Sequence, residues 1–326
     1  MKKFLRLLAH LGLVVVVILA TAGGLFGYFL YAPEPQMPQL SGALAKASLQ
    51  VGGLKRAYLT YIPNDLPPGA PLVLVMHGSG EGAEQIRTGT GYGFERLADR
   101  HGFAVAYPDS YTFDWNDCSS IGKFSVKGVP VDDVAFLGAL ADKLIADIGI
   151  DRSRVFAAGV SAGGSMAMRL ALEAPARFRA IAAVAANVPR PENFKCKPAG
   201  QGASVMVMNG TDDPLVPFSG GEVNLFGLFY KAGNVHSSRA SGQYFADING
   251  LGTAPQTRKT PLAHGVSVEH IAWRNSGRAE VELVAIHGGG HSLPHPYARR
   301  PRLLGPSPME PNGPEMIWAF FARQQR

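Results

Sequence analysis

Apolar and polar positions divide the chain into two unlike parts. From Leu11 to Ala32 no charged residue appears, an apolar run of 22 residues. A helix needs about 20 such residues to cross the hydrocarbon core of a bilayer. Lys2, Lys3 and Arg6 precede the run and the first acid, Glu34, follows it. That charge order puts the N-terminus in the cytoplasm and the rest of the chain outside. Ala20-Thr21-Ala22 has the small-x-small form of a cleavage site, so a removed signal peptide competes with an uncleaved signal anchor. The apolar character continues through Leu25, Phe26, Tyr28, Phe29, Leu30 and Tyr31. That exceeds the roughly 7–15 residues of a signal core and favours the anchor. Residues 1–32 are read as signal anchor or signal peptide, and 33–44, with Pro33, Pro35 and Pro38, as a stiff spacer. Residues 45–326 are read as one catalytic domain, exported to the periplasmic or extracellular face.

Beyond the spacer the period of the pattern changes repeatedly. Lys55–Ile62 reads as a strand and Pro71–Met76 (PLVLVM) as a fully buried one. Gly93–Arg100 reads as a short helix, followed by the strand Phe103–Tyr107. Over Asp132–Ile148 the apolar residues Val134, Leu137, Ala141, Leu144 and Ile148 keep helical spacing. Arg154–Ala158, Ala180–Ala185, Ser204–Met208 and residues 281–286 read as strands, with Ala162–Leu172 and Pro314–Arg323 as helices. Strands alternating with helices predict an α/β fold, a mostly parallel sheet covered on both faces. Chemistry in such sheets lies at the carboxyl ends of the strands.

Composition narrows the field. Of 326 residues, 46% are hydrophobic and 17% charged, which excludes a disordered or charge-rich coiled-coil chain. The net charge of +6 invites a nucleic-acid reading, but the three N-terminal cations supply half of it. Arg299, Arg300 and Arg302 lie in a Pro-rich segment and read as a solvated loop, not a nucleic-acid groove.

Gly159-Val160-Ser161-Ala162-Gly163 is the only G-x-S-x-G in the chain. An apolar strand leads into it and a helix-forming stretch, SMAMRLALEA, leads out, the setting of a nucleophile elbow. Ser161 is the candidate nucleophile; its hydroxyl needs a base. His287, His291 and His295 follow the last strand in HGGGHSLPH. The three glycines argue against a helix there, and so against a zinc pair. His291 is the candidate base, His287 a structural histidine and His295 a rim residue. The acid comes from Asn209-Gly210-Thr211-Asp212-Asp213-Pro214, where spacing does not separate Asp212 from Asp213. The order Ser, acid, His is that of α/β-hydrolases. The backbone N–H groups of Ala162 and of Ser79, in His77-Gly78-Ser79-Gly80-Glu81-Gly82, would form the oxyanion hole, with Gly78 the next candidate and His77 bracing the loop.

With these motifs placed, the chain resembles the poly(3-hydroxybutyrate) depolymerase and feruloyl esterase-like α/β-hydrolases over about residues 45–325. The likeness rests on HGSGEGAE, RHGFAVAYPD, DWNDC, VDDVAFLGAL, DRSRVFAAGVSAGGSMA, NGTDDPLVPFSGG, IHGGGHSLP and EMIWAFF in that order. It implies an α/β-hydrolase fold and a Ser161–Asp213–His291 triad, the family acid falling on the aspartate before proline. Relatives often carry Cys where this chain has Ser79, which keeps the backbone donor but not a disulfide there. Leu293 replaces an aromatic residue and weakens any substrate reading that needs ring stacking.

Trp115, Asn116 and Leu293 are candidate substrate-binding residues, Trp115 being equally suited to plug the core. Asp132 and Asp133 read as helix-start carboxylates. Leu225, Phe226, Leu228, Phe229 and Tyr230 are a pocket wall or a helix-face core. Cys118 and Cys196, the only cysteines, form a disulfide in an exported chain or remain two buried thiols. The resulting reading is a serine esterase without cofactor or metal, acting on hydroxyalkanoate oligomers or feruloyl or acetyl esters. A peptidase of the same fold and a membrane-tethered binding protein with an inactive site are the rival readings.

Overall fold

The computed structural model describes residues 2–324 apart from Phe113, Thr253 and residues 122–124, 127–128 and 225–230. The expected apolar cluster at 225–230 therefore lies outside the described residues. Helix α1 (Lys2–Phe29) contains the apolar stretch Arg6–Phe29, 24 residues of mean hydropathy 2.3 with none of its most apolar window buried. By length and composition it is able to cross a membrane.

After α1 the chain enters a hairpin of β1 (Ala43–Val51) and β2 (Leu54–Ile62), turned at Gly52-Gly53. Both glycines have positive φ, 57° and 77°, the combination that matches a two-residue turn to the twist of its strands. Then come β3 (Leu72–Met76), α2 (Ala83–Gly89), α3 (Gly93–His101), β4 (Ala104–Pro108) and a small hairpin, β5 (Ser125–Val126) with β6 (Val129–Pro130). Next are α4 (Asp133–Ile148), β7 (Val155–Val160), α5 (Ala162–Glu173), β8 (Ala180–Val184) and β9 (Ser204–Gly210). A second hairpin, β10 (Gly221–Asn224) with β11 (Lys231–Val235), precedes α6 (Ser238–Ile248). The chain closes with β12 (Gln256–Pro261), β13 (Ser267–Trp273), β14 (Val281–His287) and α7 (Gly313–Arg323).

Among the described residues ten strands form one sheet in the order β1-β2-β4-β3-β7-β8-β9-β14-β13-β12. The centre, β4 to β14, is parallel, and both flanks are antiparallel. This is the α/β-hydrolase fold. β3 shows how the sheet divides its core. Leu72, Leu74 and Met76 face a cluster with Phe136, Leu140 and Met166 from α4 and α5, while Val73 and Val75 face Phe94, Ile317 and Phe320 from α3 and α7. All five are buried, which is why PLVLVM reads as an unbroken apolar run. Asp132 caps α4 by accepting the Ala135 N–H at 2.9 Å. Asp133, fully buried, pairs instead with Arg56 at 2.6 Å, so both are structural, as their place at a helix start implies.

Cys118 and Cys196 are bonded, with Cα atoms 4.9 Å apart across 78 positions of sequence. Around the bond the two loops also share the Ser119–Phe194 bridge and a Lys195 N–H to Cys118 carbonyl bond of 2.9 Å. On the chain-entropy model a closure of this length contributes about 4–5 kcal/mol. The paired change Cys118→Ser with Cys196→Ser is expected to lower unfolding free energy by about 2–5 kcal/mol in urea titrations. A shift under about 0.5 kcal/mol would show that the native loops are strained by the bond as much as the unfolded chain is constrained by it.

Candidate active site

The site is built where β3, β7, β8, β9 and β14 end. The strand β7 and helix α5 leave no residue between them except Ser161, so the chain reverses there through φ 57° and ψ −120°. The Ser161 N–H donates to the Val184 carbonyl at 2.8 Å and its carbonyl accepts the Ser165 N–H at 2.9 Å. Two flanking glycines make this turn possible. A Cβ on Gly159 would lie 2.2 Å from the Gly163 carbonyl carbon, and one on Gly163 would lie 2.3 Å from the Met76 oxygen. Only a residue without a side chain fits either place.

His291 follows β14 across Gly288–Gly290. Its backbone N–H donates to the Leu304 carbonyl at 2.7 Å. Its Nδ1 lies 2.8 Å from Asp213 Oδ2, both residues being buried. The other oxygen of Asp213 accepts the Leu215 and Val216 N–H groups at 2.8 and 2.9 Å. Asp212 points away: it is exposed and accepts the Thr211 hydroxyl at 2.7 Å. Geometry thus distinguishes two aspartates that spacing alone does not.

Ser161, His291, Ala162, Ser79, Trp115 and Leu293 all line one cavity of about 430 Å³. In the loop after β3 the Gly78 N–H is taken by Glu81 Oε2 at 3.2 Å, and the Ser79 hydroxyl donates to Asp114 at 2.9 Å. His77 braces this loop, with Nδ1 2.7 Å from the Gly78 carbonyl and Nε2 accepting the Ser110 N–H at 3.0 Å. Trp115 both lines the cavity and belongs to the core: it is 1% exposed and its Nε1–H donates to the His77 carbonyl at 2.9 Å.

Asn116 does not line the cavity. Its side chain donates to the Val131 carbonyl at 2.7 Å and accepts from Lys195 at 2.8 Å, so it ties loops together behind the wall. His287 has its structural role, Nε2 lying 3.0 Å from Glu269. His295 is not a rim residue. It is 2% exposed, with Nε2 3.1 Å from the Gly89 carbonyl and Nδ1 accepting the Tyr297 N–H at 3.2 Å. Burial holds its pKa below the usual histidine value. Arg300 likewise leaves the solvated cluster expected of it, lining the cavity in an ion pair with Glu81. Glu81 carried a readable signal, a carboxylate three residues past Gly78 in a glycine-rich loop. Arg300 carried none, because its partner lies 219 positions away.

Asp117 is a further lining residue the sequence did not single out. Desolvation pushes its carboxyl up to about 6, against the Ser119 N–H, which donates to it and favours the charged form.

The comparisons with known proteins agree with this architecture. The model of the esterase PHB depolymerase family matches residues 57–214. The chain is 30% identical over 290 residues to the putative esterase NocK of Nocardia uniformis, covering 84% of this chain and 81% of that protein. It is 24% identical to poly(3-hydroxyalkanoate) depolymerase C of Paucimonas lemoignei, covering 72% of this chain and 58% of that one. For the probable feruloyl esterase C of Aspergillus niger the identity is 27%, covering 55% and 62% respectively. The solved acetyl xylan esterase of Aspergillus awamori shares the fold, with a TM-score of 0.56 at 17% identity over 77% of this chain and 95% of that one.

Asp117 generates a pH prediction. A carboxyl whose pKa is raised on folding holds its proton more tightly in the folded chain, so stability is lost as pH rises from about 4 to about 6. Asp117→Asn removes that cost. The variant is expected to be more stable than the parent at pH 7.5 by on the order of 1–2 kcal/mol, after allowance for residual solvent contact. The advantage should disappear near pH 4. Equal urea midpoints at pH 7.5 would overturn the assignment.

Proposed function

The chain belongs to the esterase PHB depolymerase family and is a carboxylic ester hydrolase; from that premise we propose that it works through an acyl-enzyme on Ser161. The observation that carries this reading is the 2.8 Å His291–Asp213 contact on the same cavity as a serine held at positive φ. Asp213 fixes the imidazole with Nδ1 protonated and balances the charge that develops on it. His291 Nε2 takes the Ser161 proton as the oxygen attacks the ester carbonyl, then returns it to the leaving alcohol. The backbone N–H groups of Ala162 and Ser79 receive the oxyanion. The Ala162 amide opens α5, where the helix dipole adds positive potential. One such donor is typically worth about 3–4 kcal/mol in the transition state. Water activated by His291 then hydrolyses the acyl-enzyme, so the cycle needs no cofactor.

The cavity and the relatives together support a substrate class. Ile86, Val160, Leu215, Val216 and Leu293 give the cavity an apolar wall, with Trp115 among its lining residues. Such a lining suits the acyl and aryl portions of hydroxyalkanoate oligomers and of feruloyl or acetyl esters. The apolar α1 and the disulfide support export, with 1–32 as anchor or leader, 33–44 as spacer and 45–326 as the catalytic unit.

Ser161→Ala is expected to abolish hydrolysis of short-chain nitrophenyl esters and labelling by a fluorophosphonate, with the thermal midpoint retained. Asp213→Asn should lower kcat by about 10²–10⁴-fold, since the amide favours the wrong imidazole tautomer. Undiminished turnover by Ser161→Ala would refute the mechanism. Turnover of hydroxybutyrate oligomers against feruloyl and acetyl esters assigns the substrate class; faster cleavage of peptides than of any ester would replace it.

A further inference from the structure

Two loops far apart in sequence hold different parts of the proposed machinery, and one ion pair joins them. Glu81, in the loop after β3, accepts the Gly78 N–H through Oε2 at 3.2 Å and pairs through Oε1 with Arg300. Arg300 lies on the segment that returns after His291. There the Leu304 carbonyl accepts the His291 N–H at 2.7 Å, and the Pro306 carbonyl accepts the Gly290 N–H at 2.6 Å. The Arg300 N–H donates to Ser307 Oγ at 3.1 Å, closing that segment on itself. The side chains of Arg300 and Glu81 are 27% and 23% exposed and both line the cavity. Gly78 passes over the nucleophile at contact distance, since a Cβ there would lie 3.5 Å from Ser161 Cβ and 3.4 Å from Glu81 Oε2.

We infer that Glu81 and Arg300 form a clasp of positioning residues, which holds the oxyanion donors and His291 in one register. This rests on the triad reading above. Glu81 occupies the Gly78 amide, which withdraws Gly78 as an oxyanion donor and gives that role to Ser79. Arg300 carries the same constraint to the His291 segment. A partly exposed ion pair contributes little to stability by itself, so the effect of the clasp lies in geometry. Rate is sensitive to that geometry, because a displacement of about 1 Å in a reacting group costs about a hundredfold.

The test uses the full-length oxidised enzyme, a short nitrophenyl ester and a trifluoromethyl ketone, which forms a tetrahedral oxyanion adduct with serine. Glu81→Gln keeps an acceptor for Gly78 and removes only the charge. It and Arg300→Met are each expected to lower kcat about tenfold or more, with KM within about threefold. The double variant should be no slower than the worse single one, and Arg300→Lys should restore most of the rate. Ketone affinity should weaken in proportion to the lost kcat/KM. Losses that multiply in the double variant, or a loss confined to KM, would overturn the clasp; the latter would make Arg300 a substrate-binding residue. Unchanged kcat in an enzyme that Ser161→Ala inactivates would overturn the clasp alone. Turnover surviving Ser161→Ala would remove the triad reading beneath it.

Discussion

Much of the structure is arranged around one unfavourable backbone conformation. Ser161 occupies φ 57° and ψ −120°, which costs a non-glycine residue about 1–3 kcal/mol. The surroundings leave it no other choice. β7 is paired on both sides, by β3 up to Gly159 and by β8 up to Val160, the residue before the turn. α5 begins at the residue after it and packs so closely under β3 that Gly163 has no room for a Cβ. Ala185, at the end of β8, is also held at positive φ, 51°, and its N–H is paired with the Met208 carbonyl at 3.0 Å. The parallel sheet therefore stores strain at the edge where its strands end and the proposed chemistry takes place.

Polar ties hold the walls around that edge. Asp133 is buried, so its charge needs partners, and it has three: Arg56 on β2, the Asn116 N–H at 2.8 Å, and the positive end of α4. Arg56 in turn lies over the Phe136 ring at 3.9 Å. Through Asn116 this network fixes the residue beside Trp115, and so the aromatic wall of the cavity. On the opposite layer Arg87 pairs with fully buried Glu95, whose carboxyl burial pushes up to about 7 even against that neighbour. Desolvation offsets much of the attraction in a buried pair of this kind, so it adds little net stability, while breaking it by removing one partner costs about 3–5 kcal/mol.

The legible parts of the sequence were those where one local pattern decides the outcome. The buried central strands read correctly because their apolar runs answer to both faces of a covered sheet. The sharp strand-to-helix turn at Ser161 was legible because glycine positions and flanking periods coincide within a dozen residues. Of the antiparallel flanks only β2 declared itself; β1, β12 and β13 did not. β12, QTRKTP, is almost wholly exposed, and its Arg258, Lys259 and Pro261 are what an edge strand carries to resist further pairing. β1, ALAKASLQV, is similarly exposed over its first half. Such strands owe their state to a neighbour, not to their own hydrophobicity. The same holds for side-chain roles. The 78-residue separation of His291 from Asp213 was bridged by motif order, whereas His295 and Arg300 depend on partners more than 200 positions away, and nothing local marks them.

The bond between Cys118 and Cys196 has a topological consequence. The segment it closes contains β5 to β8, α4, α5 and Ser161, while Asp213 and His291 lie on the open chain beyond it. The proposed nucleophile is thus carried on a covalent ring and its activating pair on a tail. A single backbone cleavage anywhere in the ring opens it without releasing a fragment. A cleavage in the tail between Cys196 and Asp213 divides the molecule into two pieces joined only by non-covalent contacts, including those of the sheet, of α7 and of the Arg300–Glu81 pair. The oxidised protein is therefore expected to be asymmetric toward proteases, tolerant around the strained turn and vulnerable on the stretch that leads to the proposed acid and base.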